Sequence, residues 1–398
     1  MKNLLKSCIT VFVMVMAFMV TEITSEAAVS NLTQTSDTTS SVSLKWQAVD
    51  GANYYGYQIA TDSAFKNIVK SNYVAQNTNT YAHISGLNAG SSYYVRVGHG
   101  TTNKNCYENY SNALEVVTAP ENLSSVAFVG ASDNSATISY QTPGANIYYI
   151  YEDDSNALIA STPATSYTIT MNNTQNNRYK VAAGRQSASG YSANTSAKFV
   201  TVNLLTSKIA TKDFGIDSVI GSLNKISVAA IYSGSGLEVE LTNAGGAAYK
   251  QTMEGTKPYT STSSSTNYFP YKENRYLKYR VRAFVDTDNG RIYGSWSDYR
   301  AFCEMNGKYT RGNRKINLKW TKVKGNGKIK ISVSTKKSSG YKTFKTLKGS
   351  ATKVTINKCG KTLFKRGKSY YIRAVPLVKI NGKYVASDFY LQQQITIR

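Results

Sequence analysis

Apolar and polar positions alternate along most of this chain. In SVSLKW (41–46) Val42, Leu44 and Trp46 fall on one side, and in KINLKW (315–320) Ile316, Leu318 and Trp320 do. That is the period of half-buried strands, whose successive side chains point to opposite faces. Shorter runs of the same kind include YYGYQIA, SATISYQ, NIYYIYED, LEVELTNAGG and KIKISVS, separated by turn clusters such as VDGAN, TPGAN, SGSG and KGNGK. Helix-length periodic segments are scarce, and the body is rich in Tyr, Thr, Ser, Val and Asn. Short strands at this spacing predict antiparallel sandwiches rather than parallel βαβ units.

One strand recurs: YYVRV at Tyr93, YKVAA at Tyr179, YRVRA at Tyr279 and YYIRA at Tyr370, at intervals of 86, 100 and 91 residues. A serine follows each tyrosine after 18, 13, 18 and 17 residues, namely Ser111, Ser192, Ser297 and Ser387. Two landmarks returning in phase four times predict an array of like units.

The landmarks resemble those of fibronectin type III domains. LNAGSSYYVRV (87–97) sets Leu87, Gly90 and Tyr93 before alternating Val95 and Val97, and FKRGKSYYIRA repeats the order with Phe364, Gly367 and Tyr370. The resemblance implies an all-β chain, a tandem array of four small antiparallel β-sandwiches of the immunoglobulin-like kind. It implies that Trp46 and Trp320 are core tryptophans of the second strand. It also implies that Tyr93, Tyr179, Tyr279 and Tyr370 are tyrosine corners tied to nearby backbone. The second and third units lack that tryptophan, having Tyr140 and Ile231 there, and lack the glycine before the corner. The expected limits are 28–119, 120–203, 204–303 and 304–398. The junctions at Ala119-Pro120-Glu121, Leu204-Leu205-Thr206 and Glu304-Met305-Asn306-Gly307 are too short for floppy linkers.

Before the first unit, Lys2 and Lys6 precede an apolar run from Ile9 to Val20 and a polar stretch ending in small residues. This reads as a signal peptide over 1–27, with cleavage after Ala27 or Ala28. A secreted or extracellular chain is expected, free or wall-associated, with no transmembrane segment in its mature part. The remaining cysteines, Cys106, Cys303 and Cys359, lie in three different stretches and form no disulfide framework.

Signs of chemistry are thin. His83 and His99, placed in a strand and a loop, have no metal-ligand spacing around them, and no zinc, nucleophile-elbow or phosphate-loop pattern occurs. Glu152-Asp153-Asp154 reads as a solvated hairpin turn, with a weak calcium site as the alternative. No catalytic residue, metal ligand or cofactor site is assigned, and an enzyme is not expected. The tyrosines at 54, 55 and 57 and at 148, 149 and 151 serve strand packing, or else present rings to sugars or peptides.

Charge changes the picture. Residues 304–398 hold 24 Lys plus Arg against Glu304 and Asp388 alone, a net of +22, while residues 29–303 are nearly balanced. A small domain needs a net charge of only about 2 to 8 for solubility. Lysines that blunt sheet edges account for some of the excess, and self-repulsion makes the remainder costly. A polyanionic partner is the expectation: an anionic cell-wall polymer, a sulfated glycan or extracellular DNA, bound non-specifically, with other proteins as further partners. Lysine outnumbers arginine 19 to 5, which favours diffuse attraction over bidentate recognition.

By alternation, Lys328, Lys330, Tyr371 and Arg373 share an outer face, to which the next segment adds Lys342, Lys345 and Lys348. Lys315, Lys319 and Lys353 make a second basic face. The expectation is a non-catalytic binding or scaffold protein retained on an anionic surface by its last domain. Glycan adhesion through exposed tyrosines is the alternative, and an accessory role in extracellular polysaccharide degradation the second.

Overall fold

The computed structural model describes residues 27–75, 79–171, 177–220, 225–230, 232–244, 250–256, 268–271 and 274–398. Residues 1–26 of the expected signal peptide and Ile231 lie outside the described residues. The chain forms two compact units, one from residues up to 125 with 140–165 and 180–199, the other from 126–139, 166–179 and 200–398.

Every described element is a strand. The first segment contributes β1 (Thr33–Asp37), β2 (Ser41–Lys45), β3 (Tyr54–Ala60), β4 (Ile68–Ala75), β5 (Tyr81–Ser85), β6 (Ser92–Gly100) and β7 (Leu114–Val117). The second has β8 (Val126–Ala131), β9 (Ser135–Tyr140), β10 (Ile147–Glu152), β11 (Leu158–Thr162), β12 (Ser166–Thr170), β13 (Arg178–Gln186), β14 (Ser192–Asn194) and β15 (Lys198–Thr201). The third has β16 (Phe214–Ile220), β17 (Lys225–Ala230), β18 (Gly236–Asn243), β19 (Lys250–Thr256), β20 (Tyr268–Pro270), β21 (Leu277–Thr287), β22 (Gly290–Tyr293) and β23 (Arg300–Phe302). The last begins with β24 (Gly307–Gly312), β25 (Lys315–Trp320), β26 (Gly327–Ser334), β27 (Lys342–Lys348) and β28 (Lys353–Ile356). It continues with β29 (Lys358–Cys359), β30 (Thr362–Leu363), β31 (Ser369–Ile380), β32 (Lys383–Ala386) and β33 (Leu391–Thr396).

One strand order returns four times. A three-stranded sheet, β1-β2-β5, recurs as β8-β9-β12, β16-β17-β20 and β24-β25-β28. A larger sheet, β4-β3-β6-β7, recurs as β11-β10-β13-β15, β19-β18-β21-β23 and β27-β26-β31-β33, with β14, β22 and β32 pairing the far end of the long strand in the later three. The fold is therefore an all-β tandem array of antiparallel sandwiches, and the sequence period matches the structural repeat because the long strand β6, β13, β21 or β31 carries the landmark tyrosine. Alternation settles the cores: Val42, Leu44, Trp46, Tyr55, Ile59, Val95 and Val97 pack together in the first segment. In the last, Ile316, Leu318, Trp320, Ile329, Ile331, Val333, Ile372 and Ala374 do the same.

Junction residues are buried rather than looped out. Within the first unit, Gln34 pairs with the backbone of Val117 (2.7 and 3.0 Å), the Tyr191 hydroxyl donates to Asp37 Oδ1 (2.7 Å), and Arg185 donates to Ser92 Oγ (3.0 Å). Gly90 and Gly144, both at positive φ, meet backbone to backbone, so that a Cβ on Gly90 would lie 2.6 Å from the Gly144 Cα. Within the second unit, Phe128 and Asp288 exchange two hydrogen bonds (2.7 and 2.9 Å).

Candidate functional site: the basic last segment

The corner tyrosines divide into two kinds. Tyr93 accepts a hydrogen bond from the Asn88 N–H (3.0 Å) and Tyr370 one from the Lys365 N–H (3.3 Å), both five residues upstream. Tyr279 departs from the expected tie to nearby backbone: its hydroxyl donates to Asp388 Oδ2 in the last segment. Arg300 grips the same carboxylate with Nε and Nη2 (2.9 and 2.6 Å) and donates from Nη1 to Phe214 O (2.8 Å). Burial, then the Asp388 charge, holds the Tyr279 hydroxyl far above its ordinary pKa. Tyr179, Leu87, Trp46 and Trp320 are buried.

The serines also sort out. Ser111 and Ser297 each bind the long strand, accepting from the N–H of Val97 (3.1 Å) and Val281 (2.9 Å) and donating their own N–H to the same residue's carbonyl. In the second repeat Thr195, not Ser192, does this against Ala183 (3.0 Å). The shorter connection there places Ser192 opposite Gln186, where it bonds Tyr149 (2.8 Å) instead. In the last repeat the partner residue is Pro376, which has no N–H. Ser387 Oγ instead accepts from the Cys303 N–H (2.8 Å), across the junction.

That junction is the most heavily tied in the second unit. Tyr276, fully buried, donates its hydroxyl to Gly349 O (3.2 Å) and its N–H to Lys324 O (2.9 Å). Ala244, Tyr276, Ala301, Cys303 and Met305 pack into the same core as Trp320 and Ile329. A Cβ on Gly327 would sit 2.3 Å from the Tyr276 ring, so only glycine lets the ring in.

Both acids of the last segment are consumed here. Asp388 is clamped as described, and Glu304, 7 % exposed, accepts from the Tyr271 hydroxyl. Among the described residues the ion pairs engage bases between Lys208 and Arg300, and none of the 24 bases beyond residue 304. The charge is thus left without an internal counterion.

On the larger sheet, Lys328 and Lys330 of β26 face outward, and Lys348 pairs beside Lys328. Tyr371 and Arg373 continue that outer face through their pairing with Ser334 and Ser332. Lys342 and Lys345 do not join it. A bulge between Ile331 and Ser332 sets Lys345 opposite Ile331 and Lys342 opposite Val333, both core-facing, so these lysines leave β27 on the other side of the sheet edge. Arg373 is also less available than alternation implied. It lies 3.8 Å over the Tyr341 ring and 5.0 Å over Tyr390, and donates to Gln392 Oε1 (2.6 Å). Lys328 lies 4.3 Å over the Tyr384 ring.

The clamped arginine is a recurring device that the sequence reading missed. Arg96, also three residues after its corner tyrosine, sits between Phe65 (4.3 Å) and Tyr110 (4.0 Å). Arg282 sits between Tyr293 (3.9 Å) and Trp296 (4.5 Å), and Arg280 between Trp296 (4.6 Å) and Tyr299 (4.8 Å). Such stacks contribute about 0.5 to 2 kcal/mol each. The arginines were visible in YYVR, YRVR and YYIR, but their rings come from loops of unequal length.

The three-stranded sheet presents the simpler face. Lys319 of β25 pairs with Lys308 on one side and Lys353 on the other, making a row of three exposed lysines, with Lys315 on the same face of β25. In the first repeat the equivalent row reads Thr33, Lys45, Tyr81. Like charges directly opposite destabilise a sheet by about 0.2 to 1 kcal/mol per pair.

Elsewhere the structure gives little for chemistry. His99 lies within β6 rather than a loop, 4 % exposed, and donates to Ala27 O (2.9 Å); His83 bonds Ser43 Oγ (3.2 Å). Glu152 accepts from Ser155 Oγ (2.6 Å) in its turn, and no cluster of three His, Cys, Asp or Glu occurs among the described residues. Cys106 and Cys303 are buried and burial pushes both thiols up; Cys303 is therefore inert. Of the tyrosine clusters, Tyr55, Tyr57 and Tyr148 are buried, and Tyr149 is tied to Ser192.

Burial also raises Tyr232 to about 12, and raises Tyr191, Tyr276 and Tyr309 further. These hydroxyls are held protonated in the folded state while unfolded tyrosines ionise from pH about 10. The contribution of these phenols to stability should therefore be constant up to pH about 10 and be lost above it. Ultraviolet tyrosine titration should show a delayed group of phenols that ionise only as circular dichroism reports unfolding.

Residues 27–117 match the model of the fibronectin type III domain. The three later pairs of sheets repeat its strand order. A solved structure described as a tetra-tandem repeat in the extending region of a large adhesion protein aligns over 91 % of this chain and 96 % of its own, at 13 % identity and a TM-score of 0.22. No curated protein is similar to the chain in sequence.

Proposed function

We propose that the chain is a non-catalytic extracellular scaffold, held on an anionic polymer by residues 304–398, with the preceding repeats as spacers or protein-binding modules. The observation that carries this reading is the engagement of both acids of the last segment, which leaves 24 bases without internal neutralisation. Carrying such an excess costs stability through self-repulsion, and an external polyanion offsets that cost. Lysine point charges, spread over both sheets, suit a flexible polymer better than one rigid surface. Among exported polyanions, phosphate-bearing cell-wall polymers come first if the cell is Gram-positive. The glycan alternative loses ground because the named tyrosine clusters are largely spent on packing.

The test is co-sedimentation of the full chain with purified bacterial wall, before and after its anionic polymers are stripped. Binding to intact wall, release by salt and loss on stripping are expected. Equal binding to stripped wall, or no binding to either, defeats the reading. Truncation after Cys303 is a poor substitute, because it would strip Tyr276, Ala301 and Cys303 of the core they share with the last segment.

A further inference from the structure

We propose that the anion-binding surface of the last segment is the outer face of β24-β25-β28, with Lys308, Lys319 and Lys353 each taking one phosphate of a linear phosphodiester chain. This rests on the reading above and assigns it to one of two basic faces. Register is the first argument. The three lysines are direct cross-strand partners, about 5 Å apart from strand to strand, so the row crosses the sheet over about 10 Å. Lys315 stands four residues along β25 from Lys319 on the same face, about 13 Å away, giving a chain that turns along the strand a fourth contact.

Freedom is the second argument. All four lysines are exposed, and no ring or acid holds any of them among the described contacts, whereas on the opposite sheet Arg373 is clamped and Lys328 covers Tyr384. The strands of the row's sheet contain no Asp or Glu. The neighbouring row, Thr310, Asn317 and Thr355, adds hydroxyl and amide groups and no charge.

Ligand class follows from what the face lacks. No aromatic side chain lies on the outward positions of β24, β25 and β28, so bases and sugar rings find nothing to stack on there. Recognition is confined to the charged backbone of the polymer. Flexible phosphodiester chains with neutral linkers fit that demand, because a lysine ammonium needs only a charge within reach.

The experiment uses the full-length chain and synthetic poly(glycerol phosphate), with heparin as a second arm, over a range of salt. K308Q/K319Q/K353Q should weaken poly(glycerol phosphate) binding at least about tenfold at low salt. It should also flatten the slope of log K against log salt by about 2, since each released contact contributes about 0.7 to 0.9. K328Q/K330Q/K348Q, on the other sheet, should lose less than about threefold. Without ligand the row variant should melt no lower than the parent, because it loses only repulsion. Equal losses in both variants, or tighter binding of heparin than of poly(glycerol phosphate), overturn this assignment while leaving the polyanion reading standing. Failure of the parent chain to bind either polymer overturns both.

Discussion

Asp388→Ala should cost about 2 to 3 kcal/mol, with the loss concentrated at the junction of the third and last segments. One carboxylate neutralises Arg300 and accepts from the Tyr279 hydroxyl, and its backbone N–H donates to Ala301 O (3.0 Å). Removing it strands a half-buried guanidinium and a buried phenol together. Breaking a buried pair costs about 3 to 5 kcal/mol, and the estimate is lowered because the Arg300 side chain is 30 % exposed. The backbone bond survives the substitution, so the chain should still fold. Denaturant melts followed by tryptophan fluorescence should show the last segment unfolding earlier. Asp388→Asn, which keeps one acceptor, should fall between parent and alanine. An unchanged midpoint in both variants would mean that the clamp contributes nothing.

Tyr276→Ala should cost more, about 3 to 5 kcal/mol, the range for emptying a large buried ring site. The ring fills the space above Gly327 and beside Gly349, and belongs to the core built on Trp320. Losing it opens a cavity where two segments share one core, so cooperativity should suffer along with stability. The expected result is a single transition for the third and last segments that splits into two in the variant. Tyr276→Phe, which loses only the bond to Gly349 O, should cost about 1 kcal/mol. Together these variants test whether the basic segment is fixed to its neighbour or hangs from it.

Much of the fold could be read from the chain because its signals are local. Alternation in SVSLKW and KINLKW placed Val42, Leu44, Ile316 and Leu318 inside, and the tyrosine period located the long strand of every repeat. Long-range partnerships were not readable. Tyr279 and Asp388 are 109 residues apart, and nothing in YRVRA distinguishes a corner that bonds its own loop from one that bonds the next segment. The substitution of Thr195 for Ser192 came from a turn length that the spacing of 13 already hinted at. The charged faces were half legible. Alternation put Lys328 and Lys330 together, but one bulge moved Lys342 and Lys345 across the sheet edge, a slip no pattern of period two reveals. Lys308 joined Lys319 and Lys353 only once the register of β24 was fixed.

The charge asymmetry was plain from counting, yet counting could not say whether acids elsewhere offset it. The ion pairs answer that question: among the described residues none engages a base beyond residue 304. The most direct test of the account is therefore the salt dependence of full-chain binding to poly(glycerol phosphate). A log–log slope of about −2 or steeper, as three or more lysine contacts require, is the predicted result. A slope near zero would contradict it, because binding would then owe nothing to the unneutralised charge.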